Sequence, residues 1–182
     1  MNQILELSAF FSSLIYLFFA SKKRAKAWIF GSIAALLSVI LFYRIQLNSS
    51  FILNVIYFFM GIAGYFNWKL IENEKPFKYH YQPLKHVLLS LAMFGIFVII
   101  QNIDVIYFKT SFQKIDLFLS LFSVLATFLE IKKDRACWWY WISINIGFTV
   151  LYWSQSLPFY SALMSIFTVF SVYALYQWKH NN

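Results

Sequence analysis

Trp138-x-x-Trp141-x-x-x-Asn145 sets three side chains at i, i+3 and i+7, a spacing that lies within roughly 60° of arc on one α-helix. Asn54, Tyr57 and Gly61 repeat the spacing, followed by Gly64, Tyr65 and Trp68 on about the same face. Two such stripes facing each other would stack a flat heterocycle between aromatic rings and read its polar edge with carboxamides, and their π-faces would favour a cationic ring. The competing roles are structural: an asparagine that bonds a neighbouring helix, and glycines that let helices approach closely. Chemistry beyond binding has no motif to carry it. The chain lacks an H-E-x-x-H, a nucleophile elbow, a phosphate loop and a metal-ligand cluster. His80, His86 and His180 are scattered in loops and at the edges of apolar runs, and the single Cys137, read as a small packing residue, excludes an internal disulfide framework. Neither enzymatic activity, a metal nor a cofactor is expected.

Stripes of this kind must be held by helices in hydrocarbon. The 182 residues are 61% hydrophobic and 12% charged, far from the balance of a water-soluble domain. Runs free of Asp, Glu, Lys and Arg extend over Ala27 to Tyr43, Ile45 to Trp68, Val87 to Ile103 and Ala136 to Trp178. About 20 helical residues cross a bilayer core and satisfy their own backbone hydrogen bonds. The last run is twice too long and is broken by Ser154-Gln155-Ser156-Leu157-Pro158, so it holds two helices. The first apolar run lacks the basic flank and cleavage site of a signal peptide. Seven spans are predicted: 4–20, 26–43, 51–70, 84–103, 113–130, 136–153 and 159–178. The fold class is all-α integral membrane, one membrane domain over residues 1–182, with a hydrated linker from about Ile71 to Pro83.

The formal charge of +8 sits in short loops beside the apolar runs, which reads as topology and not as a basic face for nucleic acid. Twelve of the 15 basic residues, among them Lys22, Lys23, Arg24, Lys26, Lys132, Lys133 and Arg135, fall on one side of a seven-span chain. Arg44, Lys109 and Lys114 fall on the other. The basic side is cytoplasmic by the positive-inside rule, which puts the N-terminus outside and the C-terminus inside.

A constant offset of 110 residues aligns the first three spans with the last three. Lys22-Lys23 falls on Lys132-Lys133, Trp28 on Trp138, Ile40 to Tyr43 on Val150 to Trp153, and Asn67-Trp68-Lys69 on Gln177-Trp178-Lys179. Three spans plus one separate the equivalents, so the halves share an orientation: a 3+1+3 parallel repeat of residues 4–70 and 113–178 around a linker helix at 84–103. Parallel repeats are a transporter architecture with substrate held between them near the midplane. Trp28, Trp68, Trp153 and Trp178, at span ends, are assigned to the interfacial aromatic belt.

The W-x-x-W-x-x-x-N pattern of Trp138, Trp141 and Asn145 in the penultimate helix resembles the hallmark of the PnuC family of nicotinamide riboside transporters. Ile45-Gln46-Leu47 before the third span, Gly64-Tyr65-Phe66-Asn67-Trp68 as a G-W-x-x-W-like ending, and Asp116 at the start of the fifth span are similar to that family as well. Asn54, in place of a glutamine, and Ala174, in place of a late glycine, depart from it, and the shorter amide leaves substrate identity open. The resemblance implies a SWEET-like fold, a homotrimer in the inner membrane contacting lipid, and passage of an unphosphorylated vitamin that cytoplasmic kinases then trap. Nicotinamide riboside is the expected substrate, and thiamine, riboflavin or a nucleoside the alternative within the family; a membrane scaffold is the alternative outside it. Substrate-binding residues are expected at Trp138, Trp141, Asn145, Asn54 and Tyr57, with Asp116 assigned either to cation access or to an ordinary helix-end role. Glu6, Asp104, Asp116 and Glu130 all lie near span ends. With no ionisable group at mid-span for a proton relay, facilitated diffusion is the expected mechanism.

Overall fold

In the computed structural model, which describes residues 2–44, 48–71, 82–102, 111–154 and 158–180, the apolar runs form seven helices: α1 (Asn2–Ser21), α2 (Lys26–Arg44), α3 (Asn48–Ile71), α4 (Pro83–Gln101), α5 (Ser111–Ile131), α6 (Cys137–Ser154) and α7 (Pro158–His180). Every predicted span end falls within three residues of a helix end. Pro83 and Pro158 open their helices, where a missing N–H costs nothing. Ile45, Gln46 and Leu47, Asp104 and most of the expected linker between Ile71 and Pro83 lie outside the described residues.

Backbone approach joins α1 to α2, α2 to α3, α3 to α5, α5 to α6, α6 to α7 and α7 back to α1, a closed ring of six, while α4 abuts α5. Small residues set the spacing. A Cβ on Gly64 would run into the Trp28 ring, and one on Gly61 into Ser32 Oγ, so α3 lies close against α2. The outside of the bundle is apolar: Leu70, Val150 and Val169 are exposed, as are Leu84, Val87, Leu88 and Leu91 of α4. By length and composition, Ser50–Leu70 and Pro83–Gln101 suffice to cross a membrane.

Two helix ends 110 residues apart are built alike. Lys23 (φ 54°) and Lys133 (φ 53°) are left-handed, and Arg24 N donates to Phe19 O at 3.0 Å as Asp134 N donates to Leu129 O at 2.9 Å. Both are Schellman-type ends with lysine where glycine is usual, and contacts between the two halves offset the cost of about 1–2 kcal/mol. Each lysine lies over the tryptophan ending the other half: Lys23 Nζ is 5.3 Å from the Trp178 ring and Lys133 Nζ 5.4 Å from the Trp68 ring. Those indoles reach back across the same seam. Trp178 Nε1 donates to Ala20 O at 3.1 Å, and Trp68 Nε1 donates to Glu130 O at 3.1 Å and Ile131 O at 3.0 Å. The turns come close enough that burial lowers the Lys23 ammonium pKa and the charges of Lys133 and Arg135 push the same way.

This arrangement overturns the belt assignment for three tryptophans. Trp28, Trp68 and Trp178 are buried, at 3%, 0% and 1% exposure, and Trp153 alone of the four is exposed, at 71%. Trp28 meets Trp68 edge-on at 5.4 Å, Trp68 meets Trp178 at 5.9 Å, and Trp178 meets Trp138 edge-on at 5.4 Å. Position at a span end fixes depth; the direction around the helix turns these rings inward, onto room left by Ala20, Ala27 and Gly64. His86 is likewise buried and not a surface residue. It lies 3.6 Å from Asp134, which Lys85 also approaches at 3.5 Å and whose Oδ1 accepts from Ala136 N. Arg24 stands 110 residues before Asp134 in the sequence.

Candidate functional site

Inside the ring lies a cavity of about 640 Å³, within the range of small-molecule sites. All six ring helices line it, and among the described residues α4 contributes nothing. Trp138, Trp141 and Asn145 from α6 and Asn54 and Tyr57 from α3 all stand in its wall. Asp116, buried on α5 and near enough to act electrostatically on the wall residue Tyr152, is not itself among the lining residues.

The polar groups are partly committed. Asn145 Nδ2 donates to Ser171 Oγ on α7 at 3.2 Å, and Ser171 Oγ donates to Phe167 O, so Asn145 also makes the interhelical bond named as its competing role. Asn54 spends one amide hydrogen on Ser50 O of its own helix at 2.8 Å. The Tyr57 hydroxyl stands near Ser123 and Thr127 of α5. Trp141 Nε1 donates to Glu130 Oε2 at 2.9 Å, which leaves the ring face as its means of meeting a ligand. The indole N–H groups of Trp28 and Trp138, 110 residues apart, are buried with no acceptor among the described residues, and each such donor costs about 1–3 kcal/mol.

Glu130 is the residue that sequence reasoning misses. Its position at the end of a span suggests a solvated helix end, yet the side chain is fully buried. Oε1 accepts from Tyr16 OH at 2.7 Å and Oε2 from Trp141 Nε1, and both donors belong to cavity-lining residues. The signal is present in the spacing. Asp116, Ser120, Ser123, Thr127 and Glu130 fall at i, i+4, i+7, i+11 and i+14 of α5, one polar stripe on a helix, and every member is buried. It is the same kind of pattern as the tryptophan–asparagine stripe, with hydroxyls and carboxylates in place of rings.

Comparison with known proteins gives this architecture relatives. The family described as nicotinamide mononucleotide transporter matches residues 3–180. The nicotinamide riboside transporter PnuC of Escherichia coli (strain K12) is 24% identical over 173 residues, covering 80% of this chain and 72% of that protein. The protein of the same name from Shigella flexneri gives the same figures, 24% over 173 residues. The crystal structure of the vitamin B3 transporter PnuC superposes with a TM-score of 0.78 at 20% identity, over 97% of this chain and 80% of that one. At that identity the structural likeness is one of fold.

Proposed function

The chain belongs to the nicotinamide mononucleotide transporter family, and from that premise we propose that it carries nicotinamide riboside across the cytoplasmic membrane by facilitated diffusion. The observation that carries the reading is the cavity between the two halves, where indole and phenol rings and carboxamides from α3 and α6 converge. Among the described residues no lysine or arginine lines it. A phosphate brought into such a wall would lose its water without gaining a counter-charge, which favours the nucleoside over the nucleotide. The relatives from Escherichia coli and Shigella flexneri carry nicotinamide riboside in their names. Trp138 and Trp141 stack on the pyridinium ring in this reading, and Asn145 and Asn54 read its amide and ribose, with Tyr57 beside them. Asp116, close enough to act electrostatically on Tyr152, assists cation access.

The matched helix ends, the crossed lysine–tryptophan contacts and the paired indoles support a 3+1+3 parallel repeat with α4 as the linker. Trp28 and Trp138 line the cavity and pack edge-on against Trp68 and Trp178, which lie beside the basic turns at Lys133 and Lys23. With those turns cytoplasmic, the N-terminus lies outside and the C-terminus inside. Single cysteines placed at Lys22 and Lys132 are then shielded from a membrane-impermeant maleimide in intact cells and labelled after lysis. Labelling of both before lysis rejects the orientation. The reading includes a homotrimer, which the mass of the solubilised particle measures.

Calorimetry on the purified protein with nicotinamide riboside, nicotinamide mononucleotide, thiamine, riboflavin and deoxynucleosides tests the substrate. Nicotinamide riboside is expected to bind most tightly and the mononucleotide at least about tenfold more weakly, the cost of about 1.4 kcal/mol for an uncompensated phosphate. Preference for thiamine would replace the substrate and leave the class of function standing; binding of none would favour a scaffold. Proteoliposomes are expected to equilibrate substrate. Accumulation above the external concentration, abolished by an ionophore, would reject facilitated diffusion.

A further inference from the structure

We propose that Glu130 makes this cavity selective for a flat monocation, acting as a fixed negative charge one side chain behind the wall; the inference rests on the transport reading above and assigns the basis of its charge selectivity. Glu130 is fully buried, and among the described residues no lysine, arginine or histidine pairs with it; the ion pairs found there run from Lys85 and His86 to Asp134. Each of its oxygens accepts one hydrogen bond, Oε1 from Tyr16 OH at 2.7 Å and Oε2 from Trp141 Nε1 at 2.9 Å. Two donors aimed at two different oxygens suit the ionised, acceptor-only carboxylate.

Hydrogen bonds hold such an anion without neutralising it. A buried charge lacking a counter-ion is expensive, and its field is weakly screened by the apolar surroundings. Tyr16, on α1, and Trp141, on α6, both line the cavity, so a ligand stacked on Trp141 stands one side chain away from the carboxylate. A pyridinium or thiazolium ring there supplies the missing compensation; an uncharged ring of the same shape does not. Glu130 also fixes the Trp141 ring by its Nε1, which would serve charged and uncharged ligands alike. The two roles therefore separate in the ratio of affinities for a cation and its neutral isostere.

Nicotinamide riboside and its reduced dihydro form, which keeps the sugar and carboxamide and loses the ring charge, provide that pair. Their dissociation constants are measured for the purified full chain. The wild type is expected to bind the cation at least about tenfold more tightly than the dihydro form. Glu130→Gln, which keeps size and an acceptor and removes the charge, is expected to weaken the cation about tenfold and to leave the dihydro form within about twofold, so that the ratio collapses. Equal weakening of both ligands, or of neither, overturns the proposal. Tyr16→Phe keeps the carboxylate and removes one of its donors, and is expected to retain the cation preference; loss of that preference there overturns the proposal whether or not Glu130→Gln folds. A wild type that binds neither form but binds thiamine overturns the proposed substrate instead. The same ratio is then read with thiamine and a deaza analogue whose ring nitrogen is carbon, where equal affinity overturns the role of Glu130.

Discussion

Trp141→Ala is expected to weaken nicotinamide riboside binding roughly 30-fold, because one desolvated stacking or cation–π contact is worth about 2 kcal/mol and each 1.4 kcal/mol is tenfold in affinity. The ring stands in the cavity wall with its only donor engaged by Glu130, so what it offers a ligand is its face. Asn145→Leu is expected to cost at least as much: it removes an amide from the wall and leaves a polar group of the substrate unpaired, at about 1–3 kcal/mol. Both changes should also lower the melting temperature: Asn145 bonds Ser171 Oγ across the α6–α7 seam, and Trp141 Nε1 is one of the two donors on the buried Glu130 carboxylate. Trp153, with 71% exposure and outside the cavity wall, is the control, and Trp153→Ala is expected to leave both quantities near wild type. Calorimetry and thermal unfolding on the same preparations separate the cases. If Trp153→Ala weakened binding as much as Trp141→Ala, or if Trp141→Ala lowered stability while surviving protein kept its affinity, the pocket assignment would be abandoned.

How much of this is legible in the sequence depends on which question the pattern answers. Apolar run length measures a helix against a bilayer, and the seven helices agree with it, with Pro158 marking the one division that length alone would miss. Spacing at i, i+3 and i+7 says which residues share a face, and Trp138, Trp141 and Asn145 do share the cavity face. Neither pattern says which way a face turns when the flanking residues are apolar on all sides, as they are on α6. For that reason depth alone assigns Trp28, Trp68 and Trp178 to the interfacial belt, although their rings are buried. Glu130 is missed for a related reason. A carboxylate one residue from a basic loop looks solvated until it is counted with Thr127, Ser123, Ser120 and Asp116 as the end of a buried polar stripe. The departure of Asn54 from glutamine has no resolution in the fold; its amide spends one hydrogen on Ser50 O, and the substrate it prefers is a matter for the binding panel.

The inward turn of the tryptophans leads to the largest stability effect expected. Trp178→Ala should destabilise the protein by about 3–5 kcal/mol, the range for deleting a large aromatic side chain from a packed core. Trp178 is 1% exposed and touches both Trp68 and Trp138, so its ring joins the tryptophan pair of one half to that of the other. Its Nε1 also donates to Ala20 O, at the end of α1, under the Lys23 ammonium. Removing the indole leaves that buried carbonyl without its partner from α7 and deprives the left-handed Lys23 turn of the ring it caps. Trp178→Phe keeps a ring and loses the donor, and is expected to fall between wild type and alanine. Affinity should decline too, since Trp138 loses its edge-on partner and with it the orientation it presents to the cavity. An interfacial belt residue would behave differently: Trp178→Ala would then melt with the wild type, as Trp153→Ala is expected to do. Thermal unfolding of Trp178→Ala, Trp178→Phe and Trp153→Ala side by side decides the matter, and coincident melting curves for all three would remove Trp178 from the seam between the two halves.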